Sequence, residues 1–371
     1  MNQRLRYVMI GGFLGAGKTT TVGRLARHYR DRGLRVGIVT NDQAYGLVDT
    51  MSLRAQGFDV GEVTGACFCC KFNDLVDTVK QLSADERPDV ILAEPVGSCT
   101  DLAATVLEPL AHFYADEIEL SPLAVVLKPE HGAKILDNAG DVGFSPKAAY
   151  IFLKQLEEAD VIAVNKIDKL APAEARRLVD LIRARFPGKT VTAVSARSGE
   201  NFEQFIEAID RTAPPRTKTP EMDYDVYAEG EAELGWLNCT VDLQAAPQRQ
   251  FPLDDVVAEL VERLESVCQR AGAEPAHIKV MGAAKDAVAI ANWVCTGVPP
   301  ELSLTSAATV DAARLTVNAR VAIDPETLTE LVRTTAQETA AARGLSCQVD
   351  DMQSFRPGRP MPTHRMPLGQ A

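Results

Sequence analysis

A glycine-rich loop near the start of the chain constrains the fold more than any other feature. Residues 12–19 are Gly-Phe-Leu-Gly-Ala-Gly-Lys-Thr, which fits the pattern G-x-x-x-x-G-K-[ST]. An apolar run over residues 5–10 leads into the loop, and a helix-like stretch over residues 19–30 follows it. This order is typical of a phosphate-binding loop, in which successive backbone N–H groups point at phosphate oxygens. The sequence therefore predicts a fold built around a nucleotide site.

Each residue of the loop has a predicted role. Glycines allow the backbone conformations that turn N–H groups inward, and the start of the helix adds partial positive charge. Lys18 is expected to reach the β- and γ-phosphates, and Thr19 to ligate Mg²⁺. A glycine-rich turn without a ligand is the alternative, which the flanking strand and helix disfavour. The predicted nucleotide-binding residues of this segment are Gly12, Gly15, Ala16, Gly17, Lys18, Thr19 and Thr20.

A second motif indicates that the base is guanine. Asn165-Lys166-Ile167-Asp168 directly follows an apolar run over residues 161–164. The Asp168 carboxylate can accept hydrogen bonds from both N1–H and the 2-amino group of guanine. Adenine offers no such pair of donors, and an unpaired buried polar group costs about 1–3 kcal/mol. A surface turn is the alternative for the motif alone. The predicted guanine-site residues are Asn165, Lys166 and Asp168, together with Ser195, Ala196 and Arg197 after the next apolar run.

Three cysteines lie within four positions, in Cys67-Phe68-Cys69-Cys70. With 8 cysteines in 371 residues, about 0.004 such windows are expected by chance, so composition does not explain the cluster. No charged-plus-apolar leader precedes the first strand, so we expect a cytoplasmic protein, in which disulfides are disfavoured. Thiolate metal ligation is then the leading hypothesis, and a buried apolar cluster and a redox pair are the alternatives.

The triplet supplies at most three ligands, whereas a closed structural zinc site has four. The fourth position is therefore expected to be filled from elsewhere or to stay exchangeable, which favours a transient cargo site over a structural one. Three thiolates accept Zn²⁺, Co²⁺ and Fe²⁺ alike. The five other cysteines, Cys99 among them, lie singly in apolar patterns and are expected mostly to fill the core, although Cys99 could approach the metal.

Together the motifs resemble those of the CobW-type metal-insertion GTPases, a class that includes the hydrogenase and urease maturation factors. The resemblance rests on the phosphate loop, the Asn-Lys-Ile-Asp motif, Asn41-Asp42, and Glu94-Pro95-Val96-Gly97 at the end of an apolar run. The cysteine triplet and the segment 354–365 most resemble the branch that includes nitrile-hydratase activators. The likeness is weaker beyond Pro214.

The resemblance implies a GTP-dependent metallochaperone, in which hydrolysis of GTP to GDP and phosphate drives transfer of the metal to a client metalloprotein. By position, the three cysteines match the family's metal ligands, for Zn²⁺ or in some branches Co²⁺ or Fe²⁺. Glu94 and Gly97 match its Walker B and second-switch element. The family often has two carboxylates after Asn41, but here only Asp42 is present. The candidate catalytic residues are Lys18, Asp42, Glu94 and Gly97, and a solvated loop carboxylate is the alternative for Asp42. Thr19 and Glu94 would hold Mg²⁺, and Cys67, Cys69 and Cys70 the transition metal.

The two sites are expected to be coupled. The segment 41–70 leaves the second strand and precedes the strand that ends at Glu94, so both approach the γ-phosphate edge of a doubly wound sheet. Bound GTP and Mg²⁺ can order such segments. If this ordering gathers the three sulfurs, metal affinity rises when GTP is bound, and GTP affinity must rise with metal.

Strands and helices alternate through residue 211, which predicts an α/β fold with a doubly wound, mainly parallel P-loop GTPase sheet. A Pro-rich polar stretch within residues 213–223 is predicted to be a linker. The predicted domains are a GTPase domain over 1–212, a smaller C-terminal α+β domain over 224–345, and a Pro- and Arg-containing tail over 346–371. The second domain is expected to have an open sheet face, either a client-docking or homodimer surface or part of a packed structural module.

Charge and hydropathy narrow the classes of function. The formal net charge of −12 argues against nonspecific binding to nucleic acid or to an anionic membrane. No apolar run approaches the roughly 20 residues needed to span a bilayer. Two other classes stay open: a P-loop kinase or synthetase with structural cysteines, and a regulatory GTP-binding protein that does not need its thiols. Guanine recognition weighs against the first, and the thiol triplet against the second.

Overall fold

The computed structural model describes residues 4–84, 87–136 and 146–368, and the chain forms two compact units. The first comprises the residues up to Gln43, Gln56–Gly230 and the chain from Arg359, and the second comprises Ala44–Ala55 and Glu231–Gly358. The chain therefore enters the second unit twice. This division differs from the predicted domains, since residues 213–223 belong to the first unit and a short segment after the second strand belongs to the second.

The elements up to residue 231 are strands and helices that mostly alternate. In chain order they are β1 (Leu5–Gly11), α1 (Lys18–Asp31), β2 (Val36–Asp42), α2 (Val48–Ala55), β3 (Asp59–Thr64), α3 (Phe72–Leu82), β4 (Val90–Glu94), a π-helical turn (Ala103–Leu107), α4 (Glu108–Phe113), β5 (Ile118–Leu120), β6 (Ala124–Leu127), α5 (Pro129–Leu136), α6 (Pro146–Glu158), β7 (Val161–Val164), a 3-10 turn (Ile167–Lys169), α7 (Pro172–Arg185), β8 (Thr190–Ala193), α8 (Phe202–Ile209) and α9 (Tyr224–Glu231).

The first unit is built on a parallel sheet with the strand order β3-β2-β4-β1-β6-β7-β8, and β5 also pairs with β1. Consecutive residues of β1, from Tyr7 to Ile10, are all buried. Because neighbouring side chains of a strand point to opposite faces, both faces of the sheet are covered. The predicted fold class is confirmed, and the carboxyl ends of the strands meet at one edge, where ligands bind in such sheets.

The second unit is an α+β layer. Its elements are β9 (Gly235–Ala245), β10 (Phe251–Pro252), α10 (Leu253–Arg270), β11 (Pro275–Ala284), β12 (Ala287–Trp293), β13 (Glu301–Leu304), β14 (Thr309–Val310), β15 (Ala312–Val321), α11 (Pro325–Ala342) and β16 (Leu345–Phe355). Six strands form an antiparallel sheet in the order β13-β12-β11-β15-β9-β16. Leu260 of α10, Val332 of α11 and Val280 of β11 lie in one hydrophobic core.

The opposite face of this sheet carries α2, a helix that was not predicted from the sequence. Val48 packs with Met281 and Ile290, and alternation along β11 places Met281 on the face opposite Val280. Lys279 Nζ lies 2.5 Å from Asp49 Oδ1. Asn318 accepts the Val48 N–H at 2.7 Å. Helix α2 therefore partly covers the sheet face that was expected to be open.

The predicted tail over residues 346–371 begins with an ordered strand. Residues 345–355 form β16, which pairs with β9 and has an irregularity between Asp350 and Gln353. The strand lies at the sheet edge and most of its residues are half-buried or exposed. A strand of this kind lacks the strong apolar alternation by which strands are predicted from sequence.

Glu158, at the end of α6, is expected to make stability fall as the pH rises. Its carboxylate lies 3.1 Å from Thr100 Oγ1 and accepts the Ala103 N–H at 2.9 Å. Burial raises the pKa of Glu158 from its ordinary 4.5 to about 8. The unfolded chain therefore releases this proton above pH 4.5, whereas the folded chain keeps it up to about pH 8. The folded state binds more protons in that window, so its stability decreases with pH there.

Glu158→Gln should remove this dependence. We expect the variant to unfold with a free energy on the order of 3 kcal/mol higher than the wild type at pH 9, and with a similar free energy at pH 5. Urea unfolding at the two pH values measures the difference. Glu157→Gln, which alters the exposed neighbour, is the matched control and should behave like the wild type. Parallel pH profiles for the wild type and Glu158→Gln would contradict the assignment.

Candidate nucleotide and metal site

The phosphate loop connects β1 to α1 at the carboxyl edge of the first sheet. Gly12, Gly15 and Gly17 have φ angles of 134°, 73° and 96°, which residues with a side chain rarely adopt. A Cβ atom on Gly12 would lie 2.1 Å from the Val126 carbonyl oxygen. The first helical residue of α1 is Lys18, so the positive end of the helix dipole faces the loop. This backbone cradle fits a chain of phosphates.

Four of the predicted residues meet at one end of the loop: Lys18, Thr19, Glu94 and Gly97. Thr19 Oγ1 donates a hydrogen bond to Glu94 Oε1 at 2.8 Å, which joins the start of α1 to the end of β4. A hydroxyl and a carboxylate are oxygen donors of the kind that Mg²⁺ prefers, so this pair fits the ion. The largely buried Lys18 has its Nζ 3.0 Å from where a Cβ on Gly97 would lie. Asp42 ends β2, next to β4 in the sheet, and is also buried.

The Asn-Lys-Ile-Asp motif supports the phosphate loop through its first two side chains. Asn165 Nδ2 donates to the Ala16 carbonyl and Lys166 Nζ to the Gly15 carbonyl, both at 2.9 Å. Asn165 Oδ1 accepts the Ala196 N–H at 2.9 Å, so one side chain joins both predicted nucleotide segments. Ser195 is buried, whereas Thr20, Asp168 and Arg197 are exposed. The contacts of these four residues with a nucleotide remain predictions.

Asp168→Asn tests the base preference. We expect GTP affinity to fall about 10-fold, because an amide replaces one of the acceptors that face the two guanine donors. The affinity for XTP should fall less or should rise, since xanthine carries a carbonyl at position 2, to which the new amide can donate a hydrogen bond. Competition against a fluorescent guanine nucleotide measures both affinities. Asp180→Asn, which changes an exposed carboxylate of α7, is the control. Unchanged discrimination in Asp168→Asn would remove Asp168 from the base site.

The thiol loop lies between β3 and α3 and brings its three cysteines together. Cys67 Sγ lies 2.9 Å from Cys69 Sγ and 3.2 Å from Cys70 Sγ, and the Cys69–Cys70 distance is 3.8 Å. Zinc–thiolate bonds of about 2.3 Å in a tetrahedral array hold sulfurs about 3.8 Å apart. The closest pair would therefore have to open by about 0.9 Å around the ion. Among the described residues, these three cysteines form the one group of His, Cys, Asp or Glu side chains whose ligand atoms lie close enough together to bind a metal ion.

The contacts between these thiols make their acidities unequal. Hydrogen bonding with Cys69 and Cys70 holds the pKa of Cys67 well below its usual range. Hydrogen bonding with Cys67 raises the pKa of Cys70 to about 11. It also raises the pKa of Cys69 well above its usual range. The first thiolate is therefore Cys67. A metal ion must displace the protons that the other two retain, so metal binding is coupled to proton release.

Asn41 anchors the thiol loop to β2. Its Nδ2 donates to the carbonyls of Val63 and Ala66, both at 2.8 Å, and its Oδ1 accepts the Phe68 N–H at 2.8 Å. The side chain is 4% exposed. These three bonds fix the backbone on both sides of Cys67. Asn41 belongs to a motif of the family, but this anchoring role was not predicted from the sequence. The signal that could have indicated it is an amide directly after a buried apolar run.

A fourth sulfur touches the triplet. The Cys99 thiol is hydrogen-bonded to Cys67 and is 1% exposed. Cys99 lies two residues after Gly97, on the segment that follows β4. The expected core-filling role of Cys99 therefore does not describe its surroundings fully, since its neighbour is a predicted metal ligand.

The segment Arg359–Leu368 passes along the thiol loop. Met361 N–H donates to Cys70 Sγ at 3.2 Å. Thr363 donates its N–H to the Cys69 carbonyl at 2.8 Å and its hydroxyl to the Cys70 carbonyl at 2.9 Å. Arg365 then pairs with the buried Asp101 at 2.7 Å. The covering segment, as we call Arg359–Leu368, was predicted only as part of a tail.

The chain is similar in sequence to known proteins. A family model described as "CobW/HypB/UreG, nucleotide-binding domain" matches residues 6–192, just over half of the chain. The urease accessory protein UreG of Metallosphaera sedula is 29% identical over 220 residues, which cover 55% of this chain and 92% of that protein. The zinc chaperone YeiR of Escherichia coli K12 is 30% identical over 173 residues, covering 46% and 49%. The zinc chaperone CobW of a Sinorhizobium species is 28% identical over 217 residues, covering 52% and 59%.

The chain thus spans about half the length of these two zinc chaperones. Among solved structures, Zn(II)-bound YjiA GTPase from E. coli aligns over 90% of this chain and 99% of its own, with 13% identity and a TM-score of 0.37. HypB from Archaeoglobus fulgidus aligns over 55% and 88%, with 18% identity and a TM-score of 0.39. Across the described ranges, none of the helices combines the length and apolar character that crossing a membrane requires.

Proposed function

This chain belongs to the CobW/HypB/UreG family of P-loop GTPases, and we propose that it is a GTP-dependent carrier of Zn²⁺. Cys67, Cys69 and Cys70 bind the ion, and GTP hydrolysis drives its delivery to a client metalloprotein. The observation that carries the proposal is the gathering of three sulfurs, 2.9–3.8 Å apart, in the same unit as the phosphate loop. Two relatives named as zinc chaperones support zinc as the cargo.

The chain's own residues have distinct tasks in this function. The loop N–H groups and Lys18 bind the phosphates, and Thr19 and Glu94 hold Mg²⁺, which when bound neutralises charge on the phosphates. Gly97 leaves room for the Lys18 ammonium, since any side chain at position 97 would crowd it. Asp42, buried at the end of β2, is our candidate for orienting the attacking water.

Two neighbouring strands connect the nucleotide and metal sites. In the parallel pair β2–β4, Thr40 is the register partner of Glu94, so Asn41 lies one residue beyond the position facing Glu94. Glu94 is bonded to Thr19, and Asn41 holds the thiol loop. A change at the end of β4 on binding or losing the terminal phosphate therefore reaches the backbone around Cys67 through few contacts. This supports a metal affinity that depends on the nucleotide, with the reciprocal effect required by linkage.

A competitive zinc titration tests the proposal, with and without Mg²⁺ and a nonhydrolysable GTP analogue. We expect the analogue to raise the zinc affinity of the wild type about 10-fold. The variant with Ser at positions 67, 69 and 70 should lose tight binding, and Cys347→Ser, at a half-buried cysteine of the second unit, should retain it. Equal affinities in both nucleotide states would overturn the coupling, and tight binding by the triple variant would overturn the site. Transfer of the γ-phosphate to an acceptor other than water would favour a kinase.

A further inference from the structure

We propose that Cys99 is a fourth sulfur ligand of the metal, which joins the triplet or withdraws from it according to the nucleotide state. The inference rests on the proposed function, because it concerns the same metal site. It completes the tetrahedral sulfur set that Zn²⁺ favours and that Cys67, Cys69 and Cys70 cannot complete alone. On ligation the Cys99 thiol releases its proton to water, and its sulfur donates an electron pair to the ion.

Position singles out Cys99 among the cysteines outside the triplet. Its thiol already contacts Cys67 and it is buried, so water does not compete for it. The other four cysteines all lie in the second unit. In the covering segment, the His364 ring is packed against the rings of Phe72 and Phe113, with centroids 5.1 Å away in both cases. The Met361 side chain is 76% exposed.

The turn that carries Cys99 also reaches the nucleotide site. Gln155 Nε2 donates to the Gly97 carbonyl at 3.0 Å and to the Cys99 carbonyl at 2.8 Å, so one side chain of α6 holds both residues. The Cys99 N–H is bonded to the Val96 carbonyl at 3.0 Å. Hydrogen bonds thus hold residues 96–99 together as one turn. A shift of Gly97 beside Lys18, when a terminal phosphate binds or leaves, would carry the Cys99 sulfur with it.

The present arrangement corresponds to three sulfurs with a fourth nearby. Cys67, Cys69 and Cys70 have sulfurs that all lie within 4.8 Å of one another, whereas Cys99 contacts the group through Cys67. A small displacement of the 96–99 turn toward the loop would convert a three-sulfur site into a four-sulfur site. The reverse displacement removes one metal bond and leaves the ion exchangeable. Hydrolysis thereby weakens metal binding without unfolding the loop.

X-ray absorption of the zinc-loaded protein counts the sulfur ligands directly. We expect four sulfurs in the wild type with Mg²⁺ and the GTP analogue, and three sulfurs plus a lighter atom with GDP. Cys99→Ser should show three sulfurs in both states, and its zinc affinity should be at least 10-fold weaker than wild type only with the analogue. Cys239→Ser, at another buried cysteine, is the control and should match the wild type.

The wild-type measurement keeps the proposal testable if Cys99→Ser does not fold. Cobalt-loaded wild-type protein gives a second count, because sulfur-to-cobalt charge-transfer absorption grows with the number of thiolates, and it should rise with the analogue. Three sulfurs in both nucleotide states would overturn the role of Cys99. In that case the proposed function still stands if the triple variant loses zinc. Retention of zinc by the triple variant would instead refute the carrier function itself.

Discussion

Replacing Gly12 by alanine is expected to abolish nucleotide binding, whereas the same replacement of Gly11 is expected to leave it intact. The two glycines are neighbours in sequence but differ in what a side chain would meet. At position 12 a Cβ would lie 2.1 Å from the Val126 carbonyl oxygen, on a backbone with a φ of 134°. A backbone oxygen cannot rotate away as a side chain can. At position 11 the nearest atoms are 3.6–3.8 Å away, which is ordinary contact.

We expect Gly12→Ala to lower the free energy of unfolding by about 3 kcal/mol, because strain of this kind costs about 1–3 kcal/mol before the clash is added. Affinity for GTP should fall at least 100-fold, since strands β1 and β6 must separate or the loop must change shape. Urea unfolding and calorimetric titration with a GTP analogue measure the two effects. Should Gly12→Ala match Gly11→Ala in both measurements, the close approach to Val126 would be wrong.

Asn41→Ala is expected to weaken zinc binding by about 100-fold although it removes no ligand. The substitution deletes three hydrogen bonds that hold the thiol loop, each of which contributes about 1 kcal/mol. If the loop loses its order, the metal must supply the energy to restore it, and about 3 kcal/mol corresponds to roughly a 100-fold weaker affinity. Competitive zinc titration measures the change, alongside a thermal scan that reports the fold.

Asn73→Ala provides the control for this prediction. Asn73 is exposed on α3, just after the thiol loop, so the same change of side chain is made without loss of the anchoring bonds. We expect wild-type zinc affinity for Asn73→Ala. A zinc affinity of Asn41→Ala within twofold of the wild type, in a folded protein, would show that the cysteines hold their positions without Asn41.

Most of the parallel sheet could be predicted because most of its strands are largely apolar runs. Residues 7–10 and 161–164 contain no charged residue, and both runs lead into a motif whose chemistry is specific. The strand β3 was not predicted, since only Val60 and Val63 of its six residues are buried. Strand β16 escaped prediction for a similar reason, because an edge strand keeps half of its surface in water. Local pattern therefore sufficed for the buried strands and failed for the edge strands β3 and β16.

The contacts that connect the sites depend on tertiary structure. Asn41 was visible as a residue after a strand, but its three partners lie more than 20 positions away in the chain. The proximity of Cys99 to Cys67 arises because β4 and β3 end at the same edge of the sheet. No periodicity in the sequence encodes this proximity. Likewise, nothing local to residues 44–55 indicates that they belong with strands more than 200 residues later.

The covering segment affects how the metal site forms during protein synthesis. The thiol loop and the residues that bond to it, Met361 and Thr363, are separated by nearly 300 positions. Chains emerge from the ribosome gradually and their earlier domains fold first, so the cysteines stand uncovered while most of the protein is still being translated. Ions captured in that interval meet an open loop, whereas those arriving after release must displace or pass the covering segment. The timing of metal supply relative to translation would then decide which route is used.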